Sequence, residues 1–113
     1  MVEGDIVFGA MPWSLKAADL RRDPRCVLHS AVSDPEGSEG ELKLYGRAEA
    51  ARQGLREAAR DAWWARRPVK DAHVFSLRIE RAVFVSWDTA AGTVVFRHWS
   101  PERGFSVLER PYP

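Results

Sequence analysis

The sequence predicts a mainly β, α+β fold: five strands, mostly antiparallel and curled into a barrel, with two helices, one of them packed across it. Three observations predict it. Apolar residues alternate over 42–48 and again over 73–79, the period of half-buried strands; 48–65 carries a helical period, with a second, short helix capped by Ser14; and turn-forming residues punctuate the chain between them. The 113 residues suffice for one core, and no composition break or repeat divides them, so a single domain over 1–113 is expected.

The first strand is Asp5 to Ala10, whose Ile6-Val7-Phe8 run reads as covered on both faces, and Met11-Pro12 ends it. Ser14 is an N-cap residue for a helix from Leu15 to Arg22. A strand from Cys26 to Val32 follows, then a loop from Ser33 to Gly40 with Asp34-Pro35 and Gly37 as turn formers. From Leu42 to Ala48, Leu42, Leu44 and Gly46 face one way and Lys43, Tyr45 and Arg47 the other. Ala48 to Ala65 is helical, with Ala51, Leu55, Ala58, Ala62 and Trp63 on its apolar side. His73, Phe75, Leu77 and Ile79 share a strand face until Glu80-Arg81 shifts the phase, and Ala82 to Trp87 forms a second extended piece after a bulge or bend. Val83 to Asp88 and Thr93 to His98 form a hairpin across the turn-rich 88–92. The tail from Ser100, with Pro101, Gly104, Pro111 and Pro113, reads as an extended arm or loop.

One position is chemically unusual. Lys16 falls in the first turn of its helix, beside the positive end of the helix dipole, where a cation is disfavoured. Two readings are open from spacing: Lys16 points into water, or an anion shares the site with the Ser14 hydroxyl and the free first-turn N–H groups.

The strand Asp5 to Ala10, the Ser14-Leu15-Lys16 helix start, the Asp19-Leu20-Arg21-Arg22-Asp23-Pro24-Arg25 exit, the strand Val27-Leu28-His29-Ser30 and the later Glu41 to Glu49 strand with Gly46 together resemble the pyridoxamine 5′-phosphate oxidase-like, FMN-binding split-barrel family. The resemblance covers most of the chain. It implies a split β-barrel and a homodimer whose flavin site lies at the interface. It also implies that Ser14 and Lys16 hold the phosphate of FMN, or of a deazaflavin such as F420. Met11 and Trp13 would then border the ring or ribityl chain, and His29 or Ser30 would reach a polar ring edge. The implied activity is hydride transfer by an oxidoreductase acting on a small molecule, with a non-catalytic dimeric module as the alternative. The family begins with two further strands, which the sequence from Met1 lacks, so an N-terminally shortened barrel is expected, its edge open or covered by a dimer partner.

Other constellations are weaker. Arg52, Arg56 and Arg60 form a basic stripe, but Glu49, Glu57 and Asp61 lie nearby, so a solvated helix face is expected rather than a nucleic-acid surface, in keeping with a formal charge of +1. His29, His73 and His98 lack metal-ligand spacing, so no metal is expected. Trp63 and Trp64 read as packing residues. Arg97 and His98 are adjacent rather than two apart, which speaks against pyridoxamine phosphate as substrate. No Ser/His/Asp set or phosphate-binding glycine loop supports hydrolysis or phosphoryl transfer. The single cysteine, Cys26, reads as a small buried side chain. With no membrane-spanning run and no signal-peptide pattern, a cytoplasmic protein is expected.

Overall fold

The computed structural model describes residues 4–31, 39–64 and 72–112, without the side chain of Trp64. The chain carries strands β1 (Val7–Ala10), β2 (Arg25–His29), β3 (Glu41–Ala50), β4 (His73–Asp88), β5 (Thr93–Ser100) and β6 (Gly104–Pro111), with helices α1 (Leu15–Arg22) and α2 (Gln53–Trp64). The strands form one sheet in the order β2-β3-β4-β5-β6, with β1 also paired to β4. The mainly β, antiparallel fold with two helices is therefore as expected, but the path of described strands stays open instead of closing into a barrel. The loop residues 33–38 and the helix end at Ala65 lie outside the described residues.

The chain divides into two compact units. Unit 1 comprises Met1–Cys26 and Arg47–Arg78, and unit 2 comprises Val27–Gly46 and Ile79–Pro113. In unit 1, β1 runs antiparallel to the start of β4, with Val7 opposite Ser76 and Ala10 opposite His73. Successive residues of β1 point to opposite faces, and each face is covered. Val7 packs on Ala51, Leu55, Ala59 and Val74. Phe8 packs on Ala17, Ala48 and Phe75, its ring 5.5 Å from that of Phe75. The strand is shorter than expected, starting at Val7, although the Ile6 carbonyl still accepts from the Leu77 N–H at 2.9 Å.

Helix α2 corrects the expected apolar stripe. The side chains that bury are Ala51, Leu55 and Ala59, spaced by four, whereas Ala58 is half-buried and Ala62 and Trp63 are exposed. Alanine runs at both 58 and 59, so the sequence left the phase to the neighbouring strand, and Val7 and Val74 select Ala59. The helix also starts later than expected, because 48–50 continue β3 and the Ala51 N–H donates to the Val74 carbonyl at 3.0 Å.

In unit 2 the expected hairpin forms: β4 and β5 pair from Ala82 opposite Trp99 to Asp88 opposite Thr93. Its turn is held by the Asp88 carboxylate, which accepts from the Ala91 N–H at 3.0 Å, and by Gly92 at φ 67°. The two pieces expected on either side of Glu80-Arg81 are one 16-residue strand. Both of those residues are exposed, and there the strand changes neighbours, from β1 at 73–76 to β5 at 82–88. The tail is a sixth strand, not an arm: β6 pairs with β5 from Ser100 opposite Gly104 to Thr93 opposite Pro111. Pro111 ends the strand, where a missing N–H costs no ladder bond. Gly40, at φ 75°, sits so close to β4 that a Cβ would lie 2.5 Å from the Phe84 ring.

Candidate functional site

The residues expected to hold a cofactor fall in two places. Met11, Trp13, Ser14 and Lys16 form the entry to α1 in unit 1; His29 and Ser30 end β2 in unit 2.

The entry is built as expected. Ser14 is extended at φ −70° and ψ 129°, and its Oγ accepts from the Lys16 backbone N–H at 3.2 Å, while its own N–H donates to the Met11 carbonyl at 2.9 Å. The Ser14 hydroxyl keeps its proton to donate. The first turn holds no acid to balance Lys16, whose side chain is exposed; the basic residues Arg21 and Arg22 sit in the last turn, where the dipole favours them. Beside the cap, Trp13 is 79% exposed and Leu15 80% exposed, two large apolar groups left uncovered by unit 1. Below them Ala17 is buried and anchors the helix to Ala48 and Phe75. The helix ends at Asp23, whose N–H donates to the Asp19 carbonyl at 2.9 Å before Pro24 stops it. Hydrogen bonds from the Arg25 side chain, then its backbone, hold the Asp23 carboxyl down to about 2.

At the end of β2, Ser30 is committed to the sheet: its N–H donates to the Leu42 carbonyl and its Oγ accepts from the Leu42 N–H, both at 2.9 Å. His29 Nδ1 lies 3.2 Å from Glu41 Oε1, an oxygen that Lys43 Nζ also approaches at 3.8 Å. The imidazole is thus oriented through Nδ1, with Nε2 on the far side of the ring.

Unit 1 also holds a cleft of about 520 Å³, where Arg21 of α1, Arg56 and Arg60 of α2 and His73 of β4 meet apolar walls that include Leu20 and Phe75. Sequence reasoning placed Arg56 and Arg60 on a solvated face and gave Arg21 no role. The basic stripe was visible in the sequence; its convergence with Arg21 and His73, 52 residues apart, was not. Cys26 is half-buried against Ala17, Ala48 and Phe75, and burial pushes its thiol up, which favours the protonated form. Among the described residues no group of three or more His, Cys, Asp or Glu could hold a metal ion, and no helix is long and apolar enough to cross a membrane.

No protein-family model matches the chain, and no curated protein matches it. Among solved structures it is similar to a heme-binding protein from Mycobacterium smegmatis, with a TM-score of 0.56 and 17% identity, over 99% of this chain and 74% of that one. At this identity the likeness establishes the fold alone: nearly the whole chain follows the β-rich architecture of that protein.

Proposed function

We propose that the chain is one split-barrel domain over 1–113, of the pyridoxamine 5′-phosphate oxidase-like kind, that binds FMN or a deazaflavin and works as a homodimeric flavin-dependent oxidoreductase. The observation that carries this reading is the entry to α1. A capping hydroxyl with a proton to give, an exposed ammonium and a first turn without acid make a donor set that fits a phosphate monoester. Trp13 and Leu15 offer flat apolar contact beside it. A bound flavin supplies the hydride acceptor or donor. Ser14 and Lys16 would hold its phosphate and Met11 and Trp13 would cover its ring, all four at the entry to α1 in unit 1.

The test is a titration with FMN and with riboflavin, which lacks the phosphate. Lys16→Ala weakens FMN binding by about tenfold or more, the worth of one charge-assisted hydrogen bond, and leaves riboflavin unchanged. Equal losses for both ligands sink the phosphate assignment. Tight FMN binding with no turnover of reduced nicotinamides would favour the non-catalytic module.

The fold neighbour favours a second reading, in which the ligand is heme. His29 suits it, since a carboxylate on Nδ1 orients the ring and leaves Nε2 as the ligating nitrogen. A Soret band that His29→Ala abolishes and Lys16→Ala spares would select this reading over flavin.

A further inference from the structure

We infer that the cleft bounded by α1, α2 and the start of β4 is a binding site for a small organic oxyanion, separate from the entry to α1. Its charge is the first reason. Arg21, Arg56, Arg60 and His73 line it, and among the described residues no carboxylate does. Arg56 and Arg60 stand at i and i+4, where like charges repel. Three acids near the cleft in sequence have partners outside it: Asp19 pairs with Arg22, Asp23 with Arg25, and Glu57 accepts from Gln53. An anion in the cleft relieves the repulsion between these cations.

Preorganisation is the second reason. Arg60 Nη2 donates to the Ala72 carbonyl at 2.8 Å, which fixes the side chain, while its Nε is buried with no acceptor among the described residues. The guanidinium N–H groups that the Ala72 carbonyl does not use are held in place for an incoming oxyanion, whose charge offsets part of the cost of the buried, unpaired Nε. Arg21 Nη2 donates to His73 Nδ1 at 2.9 Å, and His73 Nε2 faces the Pro12 carbonyl at 3.4 Å. His73 is therefore the neutral tautomer that carries its proton on Nε2. Because it is a neutral nitrogen that accepts from Arg21, the guanidinium is positioned without being neutralised. The volume, about 520 Å³, is that of a small-molecule site, and the walls formed by Leu20, Val74 and Phe75 leave room for a short apolar body between charged ends. The ligand class is a dicarboxylate or a phosphate ester.

Thermal unfolding and calorimetric titration of the whole chain test this, with inorganic phosphate and succinate as probes and chloride at matched ionic strength as the control. The expected result is a saturable rise in Tm of about 3 °C or more with at least one probe. Arg21→Gln and Arg56→Gln should each weaken its binding by about tenfold, and Lys16→Ala should retain it. Arg56 is exposed, so its replacement leaves the packing intact and carries the test should the Arg21 variant fail to fold. A response to phosphate alone supports an ester, and a response to succinate alone a dicarboxylate. No stabilisation beyond chloride overturns the inference. So does stabilisation that is lost in Lys16→Ala and kept in the arginine variants, since that places the anion at the α1 entry.

Discussion

Units 1 and 2 share strands β2, β3 and β4 but differ in what covers their sheet. Unit 1 contains both helices, and each covers one face: α2 closes over Val7 and Val74, and α1 sets Ala17 against Phe8 and Phe75. Unit 2 contains no described helix. Among the described residues, only Val85 and Val94 of the buried hydrophobic side chains belong to it, while Trp99, Phe105, Val107 and Leu108 are 40–65% exposed. A sheet segment that brings its own helices is complete. One that does not leaves apolar surface on an edge strand, the condition under which chains associate.

The sharpest way to break this comparison is to cut a leucine from each unit. Leu55 is 2% exposed, so Leu55→Ala should destabilise the chain by about 3 kcal/mol. Leu108 is 49% exposed, and Leu108→Ala should cost less than about 1 kcal/mol in dilute solution. Urea unfolding of the two variants checks both; equal losses would mean that unit 2 is packed as tightly as unit 1. Gly40 is the exception that sharpens the rule, a crowded point within unit 2. At φ 75° and with the Phe84 ring in the way, Gly40→Ala should cost about 2 kcal/mol by the same measurement, and a neutral outcome would show that the ring moves aside freely.

How far the sequence was legible follows the range of the interactions involved. Helix α1 could be read residue for residue because its signals are local: a serine cap, a basic last turn and Pro24 after the end. The 83–98 hairpin was legible for the same reason, through Asp88 and Gly92. Strand β6 was hidden because prolines at 101, 111 and 113 outweighed the apolar positions 105, 107 and 108. Pro101 lies in the turn and Pro111 at the strand end, so neither interrupts the ladder. Among candidate site residues, Ser14 and Lys16 could be placed from spacing. The partners of His29 and Ser30, Glu41 and Leu42 on the facing strand, could not. Arg21 and His73 meet only through tertiary packing, which no periodicity encodes.

The exposed edge of unit 2 also bears on assembly. The homodimer proposed above would place β6 in its interface and bury more than about 1,000 Å² in total. Val107 is 57% exposed on that strand, so Val107→Lys should weaken self-association by about thirtyfold, equivalent to about 2 kcal/mol, without loss of Tm in the dilute chain. Sedimentation across micromolar concentrations checks it. A wild-type chain that stays monomeric would contradict the proposal, and a dimer indifferent to Val107→Lys would move the interface elsewhere.

The smallest effect concerns the exposed turn between α1 and β2 in unit 1. Asp23 receives hydrogen bonds from Arg25 Nε and Nη2, at 2.9 and 2.6 Å, and from the Arg25 N–H at 3.2 Å, and these bring its carboxyl from 3.8 to about 2. The folded value lies below the unfolded one, so the unfolded chain takes up the proton first as pH falls. The contribution of the contact is complete well above pH 3.8 and is lost as pH falls toward 2. Both groups stand in water, where such pairs add little to stability, so the readout is the titration itself. Carboxyl resonances followed by NMR should show Asp23 protonating near 2 in the native chain and nearer 3.8 in Arg25→Gln. An unshifted midpoint in the variant would mean that Arg25 does not hold the carboxylate, leaving the exit of α1 fixed by the Asp23 N–H on Asp19 and by Pro24 alone.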